Sequence, residues 1–243
     1  MFLALDIGNS NVICGVHDVQ KWIHSIRISS NLDFWNKFKT LKKYDITHAA
    51  ISSVVPHLTS IYVESIRNIF HIDTFIISYD NAGIKLDVDM PKEVGTDRIC
   101  NTAAAKQLTG CPAIIGDIGS ATNYDVIDKT GAFVGGSIAP GLETAARNLF
   151  EKAALLKATA FTVPTSAIGK DTVTNLQSGI MLGAIDVIDG MFSRIQSETG
   201  WENPHNIITG GFGELISPHL KTKHTLLPTF TLDGIRIIYE KSI

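Results

Sequence analysis

The sequence has few of the residues that build disulfide frameworks or zinc sites. Its 243 residues include three cysteines, Cys14, Cys100 and Cys111, an odd number with no Cys-x-x-Cys pair. Patterns of the types His-x-x-x-His, Gly-x-Ser-x-Gly and Gly-x-Gly-x-x-Gly are missing too. These absences argue against zinc proteases, α/β hydrolases and Rossmann dehydrogenases. The odd number of cysteines, with no Cys-x-x-Cys pair, also favours a reducing compartment, so the predicted location is the cytoplasm.

Strong charge and long apolar runs are missing as well. The formal net charge is −3, so the chain has no basic field of the kind that attracts nucleic acid. Apolar runs stay below the roughly 18 residues that a membrane-spanning helix needs. We therefore expect neither a nucleic acid nor a membrane as a partner.

One stretch looks like a phosphate-binding loop but does not fit the pattern. To be a Walker A loop, Gly169-Lys-Asp-Thr172 would need a glycine at Pro164 and a serine or threonine at Asp171. A phosphate ligand must then be held by local donors and metal ions, because overall charge and a Walker lysine are both lacking.

The first dozen residues offer such donors. The sequence predicts a strand ending at Asp6, a tight turn from Gly8 to Asn11, and a second strand from Val12. This turn would present backbone N–H groups and small hydroxyls to a phosphate, and Asp6 could hold a metal ion directly or through water. An ordinary β-turn after a strand is the alternative for this stretch taken alone.

The acidic turn occurs twice. Asp117-Ile-Gly119 repeats Asp6-Ile-Gly8 at a distance of 111 positions (117 − 6), again after an apolar strand. Two copies about half a chain apart predict a duplicated domain. We expect an α/β fold of two similar domains, residues 1–112 and 113–243, whose acidic hairpins grip a nucleotide's phosphates from both sides.

Apolar spacing predicts the remaining elements. The first half should contain a strand at 22–28, a helix at 33–43 that includes Phe34, a strand at 49–55, a helix at 58–70 and a strand at 74–78. The second half should contain a glycine-rich, irregular segment at 135–141, helices at 142–157 and 175–198, and a strand, glycine turn and helix over 206–215. One apolar face of the 142–157 helix should be core, with Leu142, Ala145, Leu149, Ala153 and Leu156.

Two features leave alternatives open. Asp97 should lie at or near a helix start, either as an acid that complements the helix dipole or as a carboxylate at the edge of a cleft beside Arg98. Gly179 and Gly183 are small residues of the long helix that let another helix come close. That second helix could belong to the same chain or to a second subunit.

Six motifs, taken in order and spacing, resemble the type III pantothenate kinases. They are Asp6-Ile-Gly-Asn-Ser10, Glu93-Val-Gly-Thr-Asp-Arg98, Asp117-Ile-Gly-Ser-Ala-Thr122, Gly135-Gly-Ser-Ile-Ala-Pro-Gly141, Gly169-Lys-Asp-Thr172 and Thr209-Gly-Gly211. The resemblance spans nearly the whole chain and implies the duplicated actin-like (ribonuclease H-like) kinase fold, with a nucleotide cleft between two similar domains. It implies that a homodimer uses ATP to phosphorylate pantothenate to 4′-phosphopantothenate, the first step toward coenzyme A.

The resemblance also implies which residues bind ATP and its cations. ATP and magnesium would be bound by Asp6, Ile7, Gly8, Asn9, Ser10, Asn11 and Val12. Asp6 would hold the magnesium directly or through water, and Ser120 would contact ATP. Asp117 would hold a monovalent cation, potassium or ammonium.

The substrate site is implied in the same way. Gly95, Thr96, Asp97 and Arg98 would line the pantothenate pocket, and Thr172 would reach the pantothenate. Asp97 would be the catalytic residue, accepting the proton of the substrate hydroxyl. Such a carboxylate suits phosphoryl transfer, which asks the protein mainly for positioning and charge neutralisation.

The chain departs from the family pattern at four positions. The family usually has threonine at Ser120 and at Asn123, alanine at Thr96 and asparagine at Met90. The last three bear on ligand affinity and on the pantothenate pocket.

Two other functions remain as alternatives to pantothenate phosphorylation. One is another actin-like kinase acting on a sugar or acyl acid, and the other is a non-catalytic regulatory protein. Retention of Asp6, Asp97 and Asp117 together favours an enzyme.

Overall fold

The computed structural model describes residues 1–30 and 35–243. Its strands are β1 (Phe2–Ile7), β2 (Asn11–His17), β3 (Trp22–Ser29), β4 (His48–Ser53), β5 (Thr74–Ile76), β6 (Ala113–Ile118), β7 (Ala121–Ile127), β8 (Phe133–Pro140), β9 (His205–Thr209) and β10 (Thr225–Leu226). Its α-helices are α1 (Trp35–Lys39), α2 (Pro56–Phe70), α3 (Thr96–Ala104), α4 (Leu142–Lys152), α5 (Thr172–Gln177), α6 (Gly183–Thr199), α7 (Gly213–Ile216) and α8 (Phe230–Ser242). None of the described helices is long and apolar enough to cross a membrane.

The chain forms two compact units, each built on one five-stranded sheet. The first unit contains residues 1–110, 131–134 and 229–243, and the second contains 111–130 and 135–228. The strand order is β3-β2-β1-β4-β5 in one sheet and, read in the same direction, β8-β7-β6-β9-β10 in the other. In both sheets the central strand pairs antiparallel with the strand that follows it and parallel with a later one. This common order confirms the predicted duplication, while the division at 112/113 stays a prediction.

The central strands are apolar because both of their faces are buried. In β1, Leu3, Leu5 and Ile7 belong to one core cluster, while Ala4, on the opposite face, packs in another. In β6, Ile114 and Ile115 are completely buried although they point to opposite faces. Strands buried on both faces have continuous apolar runs, without the alternation of apolar and polar residues seen in half-exposed strands. In both β1 and β6 the next-to-last residue is an aspartate.

The predicted helix at 33–43 falls partly outside the described residues. Asp33 and Phe34 lie there, and the described part consists of α1 followed by a 3₁₀ turn at Thr40–Lys43. Phe38 and Leu41, which follow Phe34 at i+4 and i+7 in the predicted helix, are completely buried. The long second-half helix begins earlier than predicted, at Thr172, and a π-helical turn at Ser178–Leu182 separates α5 from α6.

The glycine-rich segment at 135–141 was expected to be irregular, and this was wrong. It forms most of β8, which lies at the edge of its sheet beside β7. Beyond its first residue Phe133, which also bridges to Leu86, this edge strand has β7 as its neighbour in the sheet, so it tolerates Pro140 at its end and Gly135 at a φ of +123°. Pairing with β7 therefore outweighs the low strand propensity of glycine.

The predicted core face of the 142–157 helix was also wrong. Helix α4 ends at Lys152, so Leu156 lies beyond it. Leu142 is buried, but Ala145 and Leu149 are exposed, and Leu149 keeps 40% of its surface. Leu142 and Ala146 are the buried residues of this helix. They lie one turn apart and so share the face that packs against the core of the second unit.

Candidate active site

The first acidic hairpin has the predicted geometry. The N–H of Gly8 donates to the carbonyl oxygen of Asn11 at 3.0 Å, which closes the turn between β1 and β2. Ser30 supports the turn, since its N–H donates to the carbonyl of Ser10 at 2.9 Å and its hydroxyl to that of Gly8 at 2.8 Å. The tip residues Asn9 and Ser10 are exposed and can approach a ligand.

Two of the predicted ATP-binding residues point away from this turn. Ile7 and Val12 are completely buried in the first unit's core. Their side chains hold the two strands together, so only their main-chain atoms remain for a ligand. Asp6 is partly exposed and pairs in register with Ser52 on the parallel strand β4. The carboxyl ends of parallel strands are a common place for nucleotide sites.

Asp97 occupies the first turn of α3, as the sequence predicts. The helix is preceded by Gly95, and the N–H of Arg98 donates to Asp97 Oδ1 at 2.9 Å. A Cβ atom on Gly95 would collide with that same oxygen, although its backbone angles suit any residue. A side chain here would displace the Asp97 carboxylate, which lies directly over Gly95.

Electrostatics set Asp97 apart from an ordinary helix-start acid. Burial raises the pKa of its carboxyl above the usual value, and the N–H and guanidinium of Arg98 oppose this shift. The fully buried Cys100 thiol has a raised pKa because of burial and then because of the nearby Asp6 and Asp97 carboxylates. Both acids therefore lie close to one buried thiol in the first unit.

Thr96 and Arg98, on either side of Asp97, also have contacts within the first unit. The hydroxyl of Thr96 contacts the end of β4, where the N–H of Ser53 donates to it at 2.9 Å. The guanidinium carbon of Arg98 lies 5.0 Å from the centre of the Phe133 ring, a cation–π contact. Gly95 to Arg98 are thus held firmly before any ligand binds.

The second acidic hairpin repeats the first in the other unit. Asp117 pairs in register with Asn123 on β7 and with Thr209 on β9. The N–H of Gly119 donates to the carbonyl of Ala121 at 2.9 Å, closing a turn. Gly210, at a φ of +89°, leaves space for Asp117, because a Cβ atom there would collide with Asp117 Oδ1 and with the backbone of Ile118.

The exposed Ser120 lies at the tip of this second turn, and the start of α4 packs against it. The N–H of Gly141 and the hydroxyl of Thr144 both donate to the carbonyl oxygen of Ser120, at 3.1 and 2.6 Å. A Cβ atom on Gly141 would collide with the carbonyls of Gly119 and Ser120. The positive end of the helix dipole is therefore fixed close to the turn, where it would favour an anion.

Asn123 brings an unused acceptor to this hairpin. Its Oδ1 atom is buried and has no hydrogen-bond partner among the described residues. Because directly paired residues project to the same face of a sheet, Asn123 and Asp117 lie side by side. An amide oxygen next to a carboxylate suits a cation, and this is the observation that fits a monovalent ion to the site.

No group of three or more His, Cys, Asp or Glu side chains positioned for a metal ion occurs within residues 1–30 and 35–243. Magnesium in nucleotide sites keeps several waters and takes one or two carboxylates plus substrate phosphates. Asp6 is suited to that role because it is partly exposed at a strand end.

Thr172 lies at the exposed start of α5. Asp171 caps this helix, accepting the N–H of Thr174 at 2.9 Å, in a capping box with the Thr174 hydroxyl. An apolar cavity of about 580 Å³ lies beside α5 in the second unit. It is lined by residues from α4, α5, the π turn and α6, including the exposed Leu149 and Val187 and the predicted helix-contact residues Gly179 and Gly183.

Sequence reasoning missed Ser52, the neighbour of Asp6 and Thr96. No local motif marks it, and only the parallel pairing of β1 with β4 brings it beside Asp6. It also gave no role to Asp125, a completely buried carboxylate of β7. Asp125 lies two residues after Asn123 and so projects from the same face, a period that the sequence does show.

Known sequences show which family the chain belongs to. A sequence model described as type III pantothenate kinase matches residues 2–194. The chain belongs to the type III pantothenate kinase family. It is 36% identical to the type III pantothenate kinase of Citrifermentans bemidjiense over the full length of both. It is 37% identical to that of Thermomicrobium roseum, covering 99% of this chain and 97% of the relative.

Solved structures confirm the fold that the family implies. A Campylobacter jejuni protein described as belonging to the Baf family of transcriptional activators has a TM-score of 0.64 at 18% identity, with 98% of both chains covered. Component A of an Acidaminococcus fermentans (R)-2-hydroxyglutaryl-CoA dehydratase has a TM-score of 0.55 at 13% identity, with 99% of this chain and 98% of that chain covered. Identities this low speak for the fold alone, which is the duplicated actin-like fold.

Proposed function

We propose that this chain transfers the γ-phosphoryl group of ATP to the hydroxyl of pantothenate. The product is 4′-phosphopantothenate, and the reaction is the first step of coenzyme A biosynthesis. The observation that carries this proposal is the full-length likeness to enzymes named type III pantothenate kinase, combined with the presence of all three hairpin and helix-start acids. We place the reaction in the cytoplasm, in accord with three cysteines that are all free.

Asp97 is the catalytic residue in this proposal. It orients the substrate hydroxyl and accepts its proton, while Gly95, Thr96 and Arg98 form the wall of the pantothenate pocket. Burial of Asp97 supports this role, because a raised pKa makes the carboxylate a stronger base than an exposed one. Its contact with the Arg98 N–H fixes the carboxylate on the helix start.

The first hairpin binds the ATP phosphates through the turn from Gly8 to Asn11. Asp6 holds magnesium directly or through water. When bound, magnesium neutralises the charge on the phosphate oxygens. The second hairpin contributes Ser120 as an ATP contact and Asp117 as the ligand of a monovalent cation, potassium or ammonium. Without a cation, the Asp117 carboxylate would repel the phosphates.

We propose that two copies of the chain pair through the apolar cavity face of the second unit. Gly179 and Gly183 have nothing within 4 Å of where a Cβ would lie, so packing within the described chain does not account for these glycines. A second subunit that packs against them would cover the exposed Leu149 and Val187. Thr172, which opens the same helical run, would then lie close to the interface and to the pantothenate.

The pairing can be tested with one charge. Val187→Glu puts a carboxylate into the proposed interface, so we expect light scattering at micromolar concentration to give a monomer mass, against a dimer mass for the wild type. Val19→Glu is the control, because Val19 is 89% exposed and lies on the β2–β3 turn of the other unit. A wild-type protein that is already monomeric would overturn the dimer.

The function itself is tested by coupled measurement of ADP release with ATP, magnesium and potassium. We expect release with pantothenate and none above background with glucose or acetate. A preference for a sugar or an acyl acid would identify a different actin-like kinase. The absence of turnover with all three would favour the non-catalytic regulator.

A further inference from the structure

A chain of side-chain hydroxyls joins the start of α3 to the end of β4. The N–H of Ser53 donates to Thr96 Oγ1 at 2.9 Å, Thr96 Oγ1 donates to the carbonyl of Ser53 at 3.1 Å, and Ser52 Oγ lies 3.0 Å from Thr96 Oγ1. A threonine hydroxyl has one hydrogen and two lone pairs. These contacts therefore use all of its capacity, with the Ser52 hydroxyl as the second donor.

This pair of hydroxyls is shielded from solvent. Ser52 is completely buried and Thr96 is partly buried. A buried polar chain with every member satisfied fixes its geometry more firmly than separate contacts do.

Both hydroxyl residues of this chain adjoin the acids of the first unit. Ser52 pairs in register with Asp6, and Thr96 immediately precedes Asp97. The Asp97 carboxylate lies against Gly95 with no room for even a Cβ atom between them. A small tilt of the first turn of α3 would therefore move the carboxylate.

We propose that Thr96 is a positioning residue whose hydroxyl holds the first turn of α3 on β4 and so sets where Asp97 stands relative to Asp6. The catalytic part of this inference rests on the proposed function. The hydroxyl is already saturated within the protein, so it acts on the reaction through Asp97, while the rest of Thr96 belongs to the proposed pocket wall.

Three variants separate positioning from stability. Thr96→Val keeps the side-chain shape and removes the hydroxyl, and Thr96→Ser keeps the hydroxyl. Thr199→Val is the control, because it removes a hydroxyl that donates to the carbonyl of Ile195 at 2.9 Å, at the end of α6 in the other unit. For each full-length protein, kcat and KM for pantothenate are measured, together with residue-resolved amide hydrogen exchange at Arg98. The Arg98 N–H reports the position of Asp97 Oδ1, to which it donates.

For Thr96→Val we expect kcat to fall about tenfold and Arg98 exchange to rise about tenfold, the size expected when one buried hydrogen-bond partner is lost. Thr96→Ser should restore both values, and Thr199→Val should change neither. Wild-type values in Thr96→Val would overturn the inference, as would a loss of kcat without faster exchange at Arg98, or no rescue by serine. If the wild type does not use pantothenate, the proposed function fails and the exchange rates alone decide whether Thr96 holds Asp97.

Discussion

The two acidic hairpins have the same place in the same sheet order, yet their turns differ in length. Between the paired residues Ile7 and Val12 the first turn has four residues, Gly8 to Asn11, whereas between Ile118 and Thr122 the second has three. The longer turn exposes two polar residues at its tip and is supported by Ser30. The shorter one exposes Ser120 and is supported by the start of α4. Duplication preserved the strands, and the turns diverged.

The surroundings of the two carboxylates differ more. Beside Asp6 the neighbouring parallel strand brings Ser52, which is bonded to Thr96. Beside Asp117 the neighbouring parallel strand brings Thr209 and then Gly210, a residue that clears space. Both acids therefore have a hydroxyl residue on the neighbouring strand, but Asp117 also packs closely against a glycine there. This contrast is what we expect if magnesium–ATP meets the first acid and a loosely held monovalent cation meets the second.

The largest effect should come from Asp97, the acid in the first turn of α3. Asp97→Asn keeps the shape and the contact with the Arg98 N–H but removes the base, so kcat should fall about 10²-fold or more. Circular dichroism should show an intact fold. Near-normal turnover in the folded variant would leave Asp97 as a helix-capping acid only.

Two glycine-to-alanine substitutions, one beside each hairpin, test whether a side chain is tolerated better at the first hairpin than at the second. Gly210→Ala forces a side chain into a left-handed backbone and against Asp117, so it should lower the free energy of unfolding by about 2–3 kcal/mol. Gly8→Ala meets only the Asn11 carbonyl, 3.2 Å away, and should cost less than about 1 kcal/mol. Thermal unfolding of both variants is the measurement. Equal losses would contradict the difference between the two sites.

A monovalent cation at Asp117 predicts that turnover depends on which cation the salt contains. At fixed ionic strength, turnover should be higher in potassium or ammonium chloride than in sodium chloride, and Asp117→Asn should lose most of this difference. Potassium titrated into the protein with ATP and followed by calorimetry gives a second readout. Equal wild-type turnover in all three salts would leave Asp117 as a turn-capping residue.

The smallest effect concerns pH. Because burial raises the pKa of Asp97 above 3.8, the folded state holds its proton to higher pH than the unfolded chain does. Ionisation of Asp97 therefore lowers the free energy of unfolding as pH rises from near 3.8 through the raised pKa. Turnover should rise over the same pH range, because Asp97 acts as a base only after it has lost its proton. Thermal unfolding of wild type and Asp97→Asn across this range should show the variant gaining stability relative to wild type as pH rises. A constant difference would contradict the raised pKa.

The sequence predicted the central strands, the duplication and the two acidic turns because these follow from local signals. Apolar runs ending in Asp-Ile-Gly mark buried central strands, and the repeat reveals the second copy. Asp97 could be placed at a helix start by propensity, but its burial could not be seen, since burial depends on how the rest of the unit packs around it.

What could not be predicted depends on contacts between distant segments. Ser52 becomes part of the site only through the pairing of β4 with β1. The strand β8 exists because β7 pairs with it, in spite of Gly135 and Gly136. The exposure of Leu149 could not be predicted from the local sequence either. The same spacing of apolar residues occurs in helices that face a core, a second subunit or solvent.

The most direct test of the account is the identity of the product. Pantothenate incubated with the protein, ATP, magnesium and potassium is analysed by mass spectrometry, with Asp97→Asn as the matched control. We predict pantothenate carrying one added phosphoryl group with the wild type and little or none with the variant. Unmodified pantothenate after prolonged incubation with the folded wild type would contradict the account.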